Sequence, residues 1–478
     1  MIPMDPVNTT ASLAPRLIQD DRRMLLRIGL VVGLLLRIII LSQTSALGTN
    51  IVDEQHYARL GANILAGNGY AMDVGQPTSI RPPLYPALLA ATWFFTGSGN
   101  LQAVRVVQIG LSLLTTWVVF LIGRRVHSEA AGRMAALICW LYPSLIFSDY
   151  LILTETLFTL LLLAFVLLAI MLVQEPRART AVTCGAVLAL AALSRSVLWP
   201  APLILCPLLL VLLREPLRRR VAFAALVFVA FAVVLAPWSI RNTRLQGVFT
   251  TVDTMGGINL RMGNYEHTPE DRMWDAVSVK GEQNWVYDLR YEHIDGPVTE
   301  GVKDKWAQRK AIQYMVANPG TTVRRSLIKF ADFWGLEREF MAGVRDGFFN
   351  PPTWFAALAS VAIVVAYALL ALGGAAGSWL AAPRDWRVHM LLLFPVVLIT
   401  GAHTIVFGHS RYHLPLMPIL GVYAAMLVVA MPVRVRTAPR VLLAGASACV
   451  LLLAAIWVRQ VVFVDAGRIT TLLKTIGL

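Results

Sequence analysis

Apolar residues in this chain come in long unbroken runs, separated by short polar stretches rich in arginine, with little of the alternation that marks a half-buried strand. A helix needs about 20 mostly apolar residues to cross roughly 30 Å of hydrocarbon. Apolar runs recur at 25–44, 101–123, 131–148, 155–173, 181–194, 197–213, 221–238, 354–373, 388–407, 414–430 and 440–458. The pattern predicts an all-α polytopic membrane protein with about eleven transmembrane helices. The first run is too long for a signal-peptide core, contains Arg37, and meets no small-residue cleavage site before Asp53, so it is expected to be retained. The stretch "RPPLYPALLAATWFFTG" from Arg81 is apolar but short, and its prolines oppose a full helical start. It reads as an interfacial or re-entrant element.

The polar stretches orient the bundle. Arg22 and Arg23, "RRVHSEAAGR", "QEPRART", "REPLRRR", "PRDWR" and "PVRVRTAPR" all fall on one side, which the positive-inside rule makes cytoplasmic. The chain then divides into a cytoplasmic start (1–24), a first transmembrane module (25–238) whose outer loop is 45–100, a large outer loop (239–353), and a C-terminal transmembrane part with a short tail (354–478). Counting the Arg81 stretch as a span would invert every later loop.

Composition agrees: 57% of the 478 residues are hydrophobic and only 15% charged, more apolar surface than a soluble domain could hide. The net charge of +14 resides in the short inner loops, where it acts as an orientation signal; nucleic acid is not an expected partner. Cys139, Cys184, Cys206 and Cys449 lie in apolar runs without the spacing of a metal site or disulfide framework.

The outer side carries the chemistry. In "NIVDEQHYARLGANIL", helical spacing places Asp53, Tyr57, Leu60 and Ile64 on one face with His56 at its edge. Asp53 and Glu54 fit a first helical turn, where acids are ordinary caps, so spacing admits both a structural and a functional reading. Glu155 in "LTETLF" begins a span; an ionisable group there is costly unless it faces a polar cavity. Arg81, Arg195, Arg241, Arg244 and Arg411 gather on the same side, and a guanidinium fork matches a phosphate. Trp274, Trp285 and Trp306 in the large loop suit either sugar stacking or a small core. His403, His409 and His413 lack a clustered carboxylate or cysteine partner, so no metal is expected.

Taken in order, "DEQHYARLGANILAGNGY", "RPPLYP", "LTETLF", "SR" before a Trp-Pro pair, "GGINLRMGN", "IQYMVANPGTTVRRSLIKFADFW" and "RYHLPLMPIL" span most of residues 20 to 430. This series resembles the GT-C superfamily of membrane glycosyltransferases, in the branch of the protein O-mannosyltransferases, lipid A aminoarabinose transferase and Rgt-type lipopolysaccharide glycosyltransferases. The resemblance implies a GT-C-type bundle with juxtamembrane helices on its outer face. It also implies an enzyme taking a sugar from a polyprenyl-phosphate carrier to a glycan, lipid or protein acceptor. The expected setting is the periplasmic face of a bacterial inner membrane, with the N-terminus cytoplasmic and no cofactor besides the lipid-linked donor. By resemblance, Asp53 matches the leading catalytic acid and Glu155 the second, with Glu54 beside them. Arg81 matches the basic position before the proline pair, and Arg195, Arg241, Arg411 and His56 complete the expected donor-phosphate group.

The chemistry is coherent with that set. A phosphate leaves without being protonated, so one carboxylate base suffices and arginines stabilise the developing charge. A single displacement inverts the anomeric carbon. A lipid-linked sugar transporter or flippase would share the spans and the arginine-lined face, but transporters usually show related halves, and no internal repeat is visible. A non-catalytic lipid-sugar scaffold would keep its function without Asp53.

Overall fold

A computed structural model of the chain describes residues 13–270, 273–431 and 437–467. Residues 1–12 of the expected cytoplasmic start (1–24), residues 432–436 of the basic loop and the end of the tail (468–478) lie outside the described residues, as do the side chains of Arg22, Arg23 and Trp274. The regular structure of the described chain is almost wholly helical. Helix α1 (Leu13–Gln43) leads to α2 (Val52–Leu65), a two-stranded antiparallel pair of β1 (Ala71–Asp73) and β2 (Gln76–Pro77), and α3 (Leu84–Thr96). Helices α4 (Leu101–Val126), α5 (Glu129–Leu141), α6 (Pro143–Ser148), α7 (Glu155–Gln174), α8 (Ala178–Ser194), α9 (Ala201–Leu212) and α10 (Leu217–Gln246) then run back and forth. Helices α11 (Gly256–Met262), α12 (Glu300–Ala317), α13 (Pro319–Phe333) and α14 (Glu339–Arg345) build the large loop. The bundle closes with α15 (Thr353–Leu380), α16 (Trp386–Ile405), α17 (Met417–Ala430) and α18 (Arg440–Arg459).

Among the described residues, eight helices are long and apolar enough to cross a membrane. Three expected spans differ. The one at 131–148 is parted into α5 and α6 at Tyr142, because Pro143 cannot donate to the preceding turn and starts a new helix instead. Those at 181–194 and 197–213 are α8 and α9, of 17 and 12 residues, separated by a short 3-10 turn at Ser196–Leu198. Both carry fully buried core residues such as Leu188, Ala192, Leu205 and Leu209, so neighbouring helices meet them along much of their length.

Polar ties mark the two ends of the bundle. At one end, the Arg387 guanidinium donates to the Val173 and Leu212 carbonyls at 3.1 and 3.3 Å, joining the start of α16 to the ends of α7 and α9. At the other, Arg105 donates to the Thr44, Leu47 and Tyr150 carbonyls at 2.8, 2.6 and 3.1 Å. The segment from 45 to 100 and the large loop meet at this second end: the Thr78 hydroxyl and the Ser79 N–H donate to the Glu300 carboxylate at 2.6 and 2.8 Å.

Helices α2 and α3 lie against each other over a cluster of Tyr57, Tyr85, Leu89 and Trp93. Gly61 permits this approach: a Cβ there would stand 2.9 Å from the Leu89 Cβ and 3.3 Å from the Pro86 carbonyl oxygen. Helix α3 has 13 residues and leaves Phe94 and Phe95 exposed. In the large loop, Trp285 and Trp306 are buried with Met262 and Tyr265 in a small core of its own. Of the two readings left open by sequence, these two tryptophans take the structural one.

Candidate functional site

The site forms where four helix ends converge. Asp53 lies in the first turn of α2, Glu155 is the first residue of α7, Arg195 follows the last residue of α8, and Arg411 precedes α17. Arg81 arrives on the turn before α3. The turn is braced: Tyr70 donates its hydroxyl to the Arg81 carbonyl at 2.8 Å, and Ser79, two residues earlier, is held by Glu300.

These five side chains form a chain of charges. Arg81 Nη2 donates to Asp53 Oδ1 at 2.6 Å, and Arg411 Nη1 donates to Asp53 Oδ2 at 3.2 Å. The other side of the Arg411 fork, Nε, donates to Glu155 Oε1, and Arg195 Nη1 stands 3.6 Å from that same oxygen. Burial favours the neutral form of Asp53, but Arg81 and Arg411 outweigh it and hold the carboxyl below its usual range. Asp53 is therefore charged at neutral pH. His56 lies beside it, with Nδ1 3.2 Å from Arg81 Nη2. Burial and the Arg81 charge depress its imidazolium, so His56 is neutral at pH 7 and contributes no cation.

Two cavities flank this chain, and Arg411 borders both. The first, about 300 Å³, is lined by Asp53, Tyr57, Arg81, Arg195, Asp253 and Tyr412 among others. The second, about 320 Å³, is bordered by Glu155, Glu337, Glu339, Ser410 and the aromatic group Phe147, Phe340 and Phe349. Some buried atoms here have no hydrogen-bond partner, among them Glu155 Oε2, Arg195 Nη1 and Arg81 Nε. Buried polar groups are normally paired, so atoms left open beside a cavity have capacity for a ligand. Among the described residues, no three His, Cys, Asp or Glu side chains gather as a metal would require. The positive charge bordering the first cavity comes from arginine.

Two expected site residues stand elsewhere. Glu54 is not part of this chain of charges. Its Oε2 accepts the Asn50 and Ile51 N–H groups at 2.9 and 3.0 Å, and its Oε1 accepts the Ile152 N–H at 2.9 Å. The buried stripe of α2 is Glu54, Tyr57, Leu60 and Gly61, which leaves Asp53 one position round the helix and free to reach the arginines. Arg241 is likewise not in the phosphate group. It donates to the Thr78 and Tyr70 carbonyls at 2.6 and 3.1 Å and lies over the Trp238 ring, so it shapes the loop that delivers Arg81. Arg244 is exposed.

One carboxylate was not visible from sequence. Asp253, in "TTVDTMGG", borders the first cavity, with its Oδ1 accepting the Met255 N–H at 3.2 Å and Ser196 beside it. A lone acid in a polar loop has no local mark; only the packing of α11 brings it here. That packing is exact about size: Asp304 on α12 accepts the Gly257 and Ile258 N–H groups at 2.6 and 3.1 Å, and a Cβ on Gly257 would collide with the Asp304 carbonyl.

Comparison with known proteins agrees with this architecture. Residues 80–240, about a third of the chain, match the family of dolichyl-phosphate-mannose-protein mannosyltransferases; this part holds Arg81, Glu155 and Arg195. No curated protein matches by sequence. Among solved structures, the oligosaccharyltransferase of Archaeoglobus fulgidus in complex with Zn and sulfate superposes with a TM-score of 0.52 at 16% identity, covering 90% of this chain and 52% of that one. The same organism's oligosaccharyltransferase AglB, in complex with an inhibitory peptide and a dolichol-phosphate, superposes with a TM-score of 0.50 at 12% identity, covering 91% and 55%. ArnT from Cupriavidus metallidurans bound to undecaprenyl phosphate gives 0.42 at 13% identity, covering 83% and 77%. This chain spans about half the length of the oligosaccharyltransferases it matches. The chain thus has a polytopic helical fold shared with the Archaeoglobus fulgidus oligosaccharyltransferases, and its residues 80–240 match the dolichyl-phosphate-mannose-protein mannosyltransferase family.

Proposed function

We propose that the protein is a glycosyltransferase that moves a sugar from a polyprenyl-phosphate carrier to an acceptor at the outer face of a bacterial inner membrane, with its N-terminus cytoplasmic. The observation that carries this reading is the chain Arg81–Asp53–Arg411–Glu155–Arg195 on the border of two cavities. The donor phosphate enters the first cavity, where it competes with Asp53 for Arg81 and Arg411. Its arrival loosens the two ion pairs and releases Asp53 to act as base. The acceptor comes from the second cavity, where the unpaired Glu155 Oε2 orients it.

Transfer then needs one displacement. Asp53 takes the proton of the acceptor hydroxyl as its oxygen attacks the anomeric carbon, and the bond to the phosphate oxygen breaks with inversion. The phosphate departs with its electron pair, and the arginine forks stabilise its added charge. No metal is assigned to this step. The acceptor is a glycan, lipid or protein. A transporter reading draws less support, because the polar cavity walls and unpaired groups gather at one end of the bundle and the groove at the other, lined by Leu26, Leu30, Leu113 and Trp117, is largely apolar.

The test is transfer by the purified protein from radiolabelled polyprenyl-phosphate mannose, glucose and aminoarabinose into acceptors of a bacterial membrane extract. Labelled product that depends on the protein is expected from at least one donor. Protein-dependent movement of labelled lipid across vesicles, with no labelled product from any donor, would overturn the assignment in favour of a transporter.

A further inference from the structure

The first cavity holds more than phosphate-binding groups. Trp199 borders it with 40% of its surface exposed. Asp253 and Asn259 border the same cavity, and the Asn259 side chain makes no hydrogen bond among the described residues. Asp253 is near enough to Arg81 for the two charges to act on each other. Asp253, Trp199 and Ser196 also line a smaller cavity of about 100 Å³, so the space continues past them.

An open indole face, a carboxylate and a free primary amide around one cavity match the needs of a sugar ring. The ring's C–H face packs on an aromatic plane, and its hydroxyls donate to carboxylate and carbonyl oxygens while accepting from amide N–H groups. We propose that Trp199, Asp253 and Asn259 form the subsite for the donor's sugar ring, and that this subsite takes an uncharged sugar and rejects a uronic acid. The inference rests on the donor reading given above and adds which sugars fit.

The rejection follows from charge. A carboxylate sugar would face the Asp253 carboxylate, with the arginines already engaged by the phosphate. Burial pushes the Asp253 carboxyl up to about 6, so it is still charged at pH 7.5. Its placement is fixed by the backbone: Asp304 caps α11, and α11 carries Asn259.

Binding to the full-length protein in detergent, measured at pH 7.5, separates the two readings. The ligands are bare polyprenyl phosphate, polyprenyl-phosphate glucose, polyprenyl-phosphate mannose and polyprenyl-phosphate glucuronic acid. We expect one neutral hexosyl lipid to bind about tenfold more tightly than the bare lipid, the gain of one or two hydrogen bonds to a charged group. Asp253→Asn and Trp199→Ala should each bind that lipid no more tightly than the same variant binds the bare lipid, and saturable bare-lipid binding by each variant shows that it is folded. Trp199→Phe should keep most of the preference. Equal affinity of the native protein for the bare and neutral hexosyl lipids overturns the subsite, as does glucuronosyl lipid binding as tightly as the neutral ones, or a preference unchanged in both Asp253→Asn and Trp199→Ala. Failure of the donor reading has a different mark: Arg81→Ala would then leave bare polyprenyl-phosphate affinity unchanged.

Discussion

Two arginine–carboxylate clusters lie some way apart in this molecule, and they are built from the same groups for opposite ends. In the first, Arg37 on α1 donates to Asp149 Oδ2 at 2.8 Å and to the Gly33 and Trp140 carbonyls, and its guanidinium lies 3.7 Å over the Trp140 ring. Ser112 donates to Asp149 Oδ1 at 2.7 Å. Both side chains are buried and both carboxylate oxygens are used. In the second, Arg81, Asp53, Arg411, Glu155 and Arg195 border cavities, and buried atoms of Arg81, Glu155 and Arg195 lack partners. Taking ions out of water is costly in both places. A cluster that meets this cost wholly from within is architecture, and one that leaves atoms open beside a void is prepared for a guest.

The clusters are also linked. Asp149 begins the turn at 149–154 that ends at Glu155, and Gln108 holds that turn by donating to the Asp149 and Leu151 carbonyls, both at 2.9 Å. The sealed cluster thereby positions the open one. This linkage frames what mutations should do.

The largest effect is predicted for Arg411→Gln, which removes the group shared by Asp53 and Glu155. Transfer from labelled polyprenyl-phosphate sugar should fall on the order of 10²–10³-fold, the usual loss of a principal charge-stabilising donor. Glu155→Gln should lower it by roughly 10–10²-fold, mainly through acceptor KM, because the free oxygen borders the cavity proposed for the acceptor. Arg37→Ala should act differently. Stranding Asp149 should cost about 3–5 kcal/mol of stability, read as a lower melting temperature in detergent, while the folded fraction keeps its bare-lipid affinity. Equal melting temperatures for native protein and Arg37→Ala would erase the contrast between the clusters. Arg241→Ala should reduce transfer only severalfold, since it shapes the loop before Arg81 without facing the donor. The smallest effect belongs to His56. With burial and the Arg81 charge depressing its imidazolium, His56 is uncharged at pH 7 and above, so bare-lipid affinity should stay level between pH 8 and 7, and His56→Asn should change it by less than about twofold.

Much of this was legible in the sequence, for reasons that can be named. Long apolar runs announce spans, and loop arginines place Asp53, Arg81, Glu155, Arg195 and Arg411 on one side. Charged residues at span ends rarely lack a role, and these five do meet. What the sequence left illegible shares a cause as well. Glu54 and Asp53 are neighbours with the same side chain chemistry, and their separation depends on Ile152, a residue 98 positions away that turns Glu54 into a buried cap. Arg241 is another outer-side arginine until Thr78, 163 residues away, takes it. Asp253 has no local signature at all. Apolar runs in the sequence also did not fix helix length: the mainly apolar helices α8 and α9 have 17 and 12 residues, shorter than a typical lipid-facing span.

The central claim is that the open cluster performs transfer and that Asp53 is its base. It is tested most directly with Asp53→Asn, expressed in the membrane at the level of the native protein and assayed with labelled polyprenyl-phosphate sugar. The account predicts a fall in transfer of at least about 10²-fold, with bare polyprenyl phosphate still bound, because removing the charge frees Arg81 and Arg411 for the phosphate. Full transfer by Asp53→Asn would contradict it.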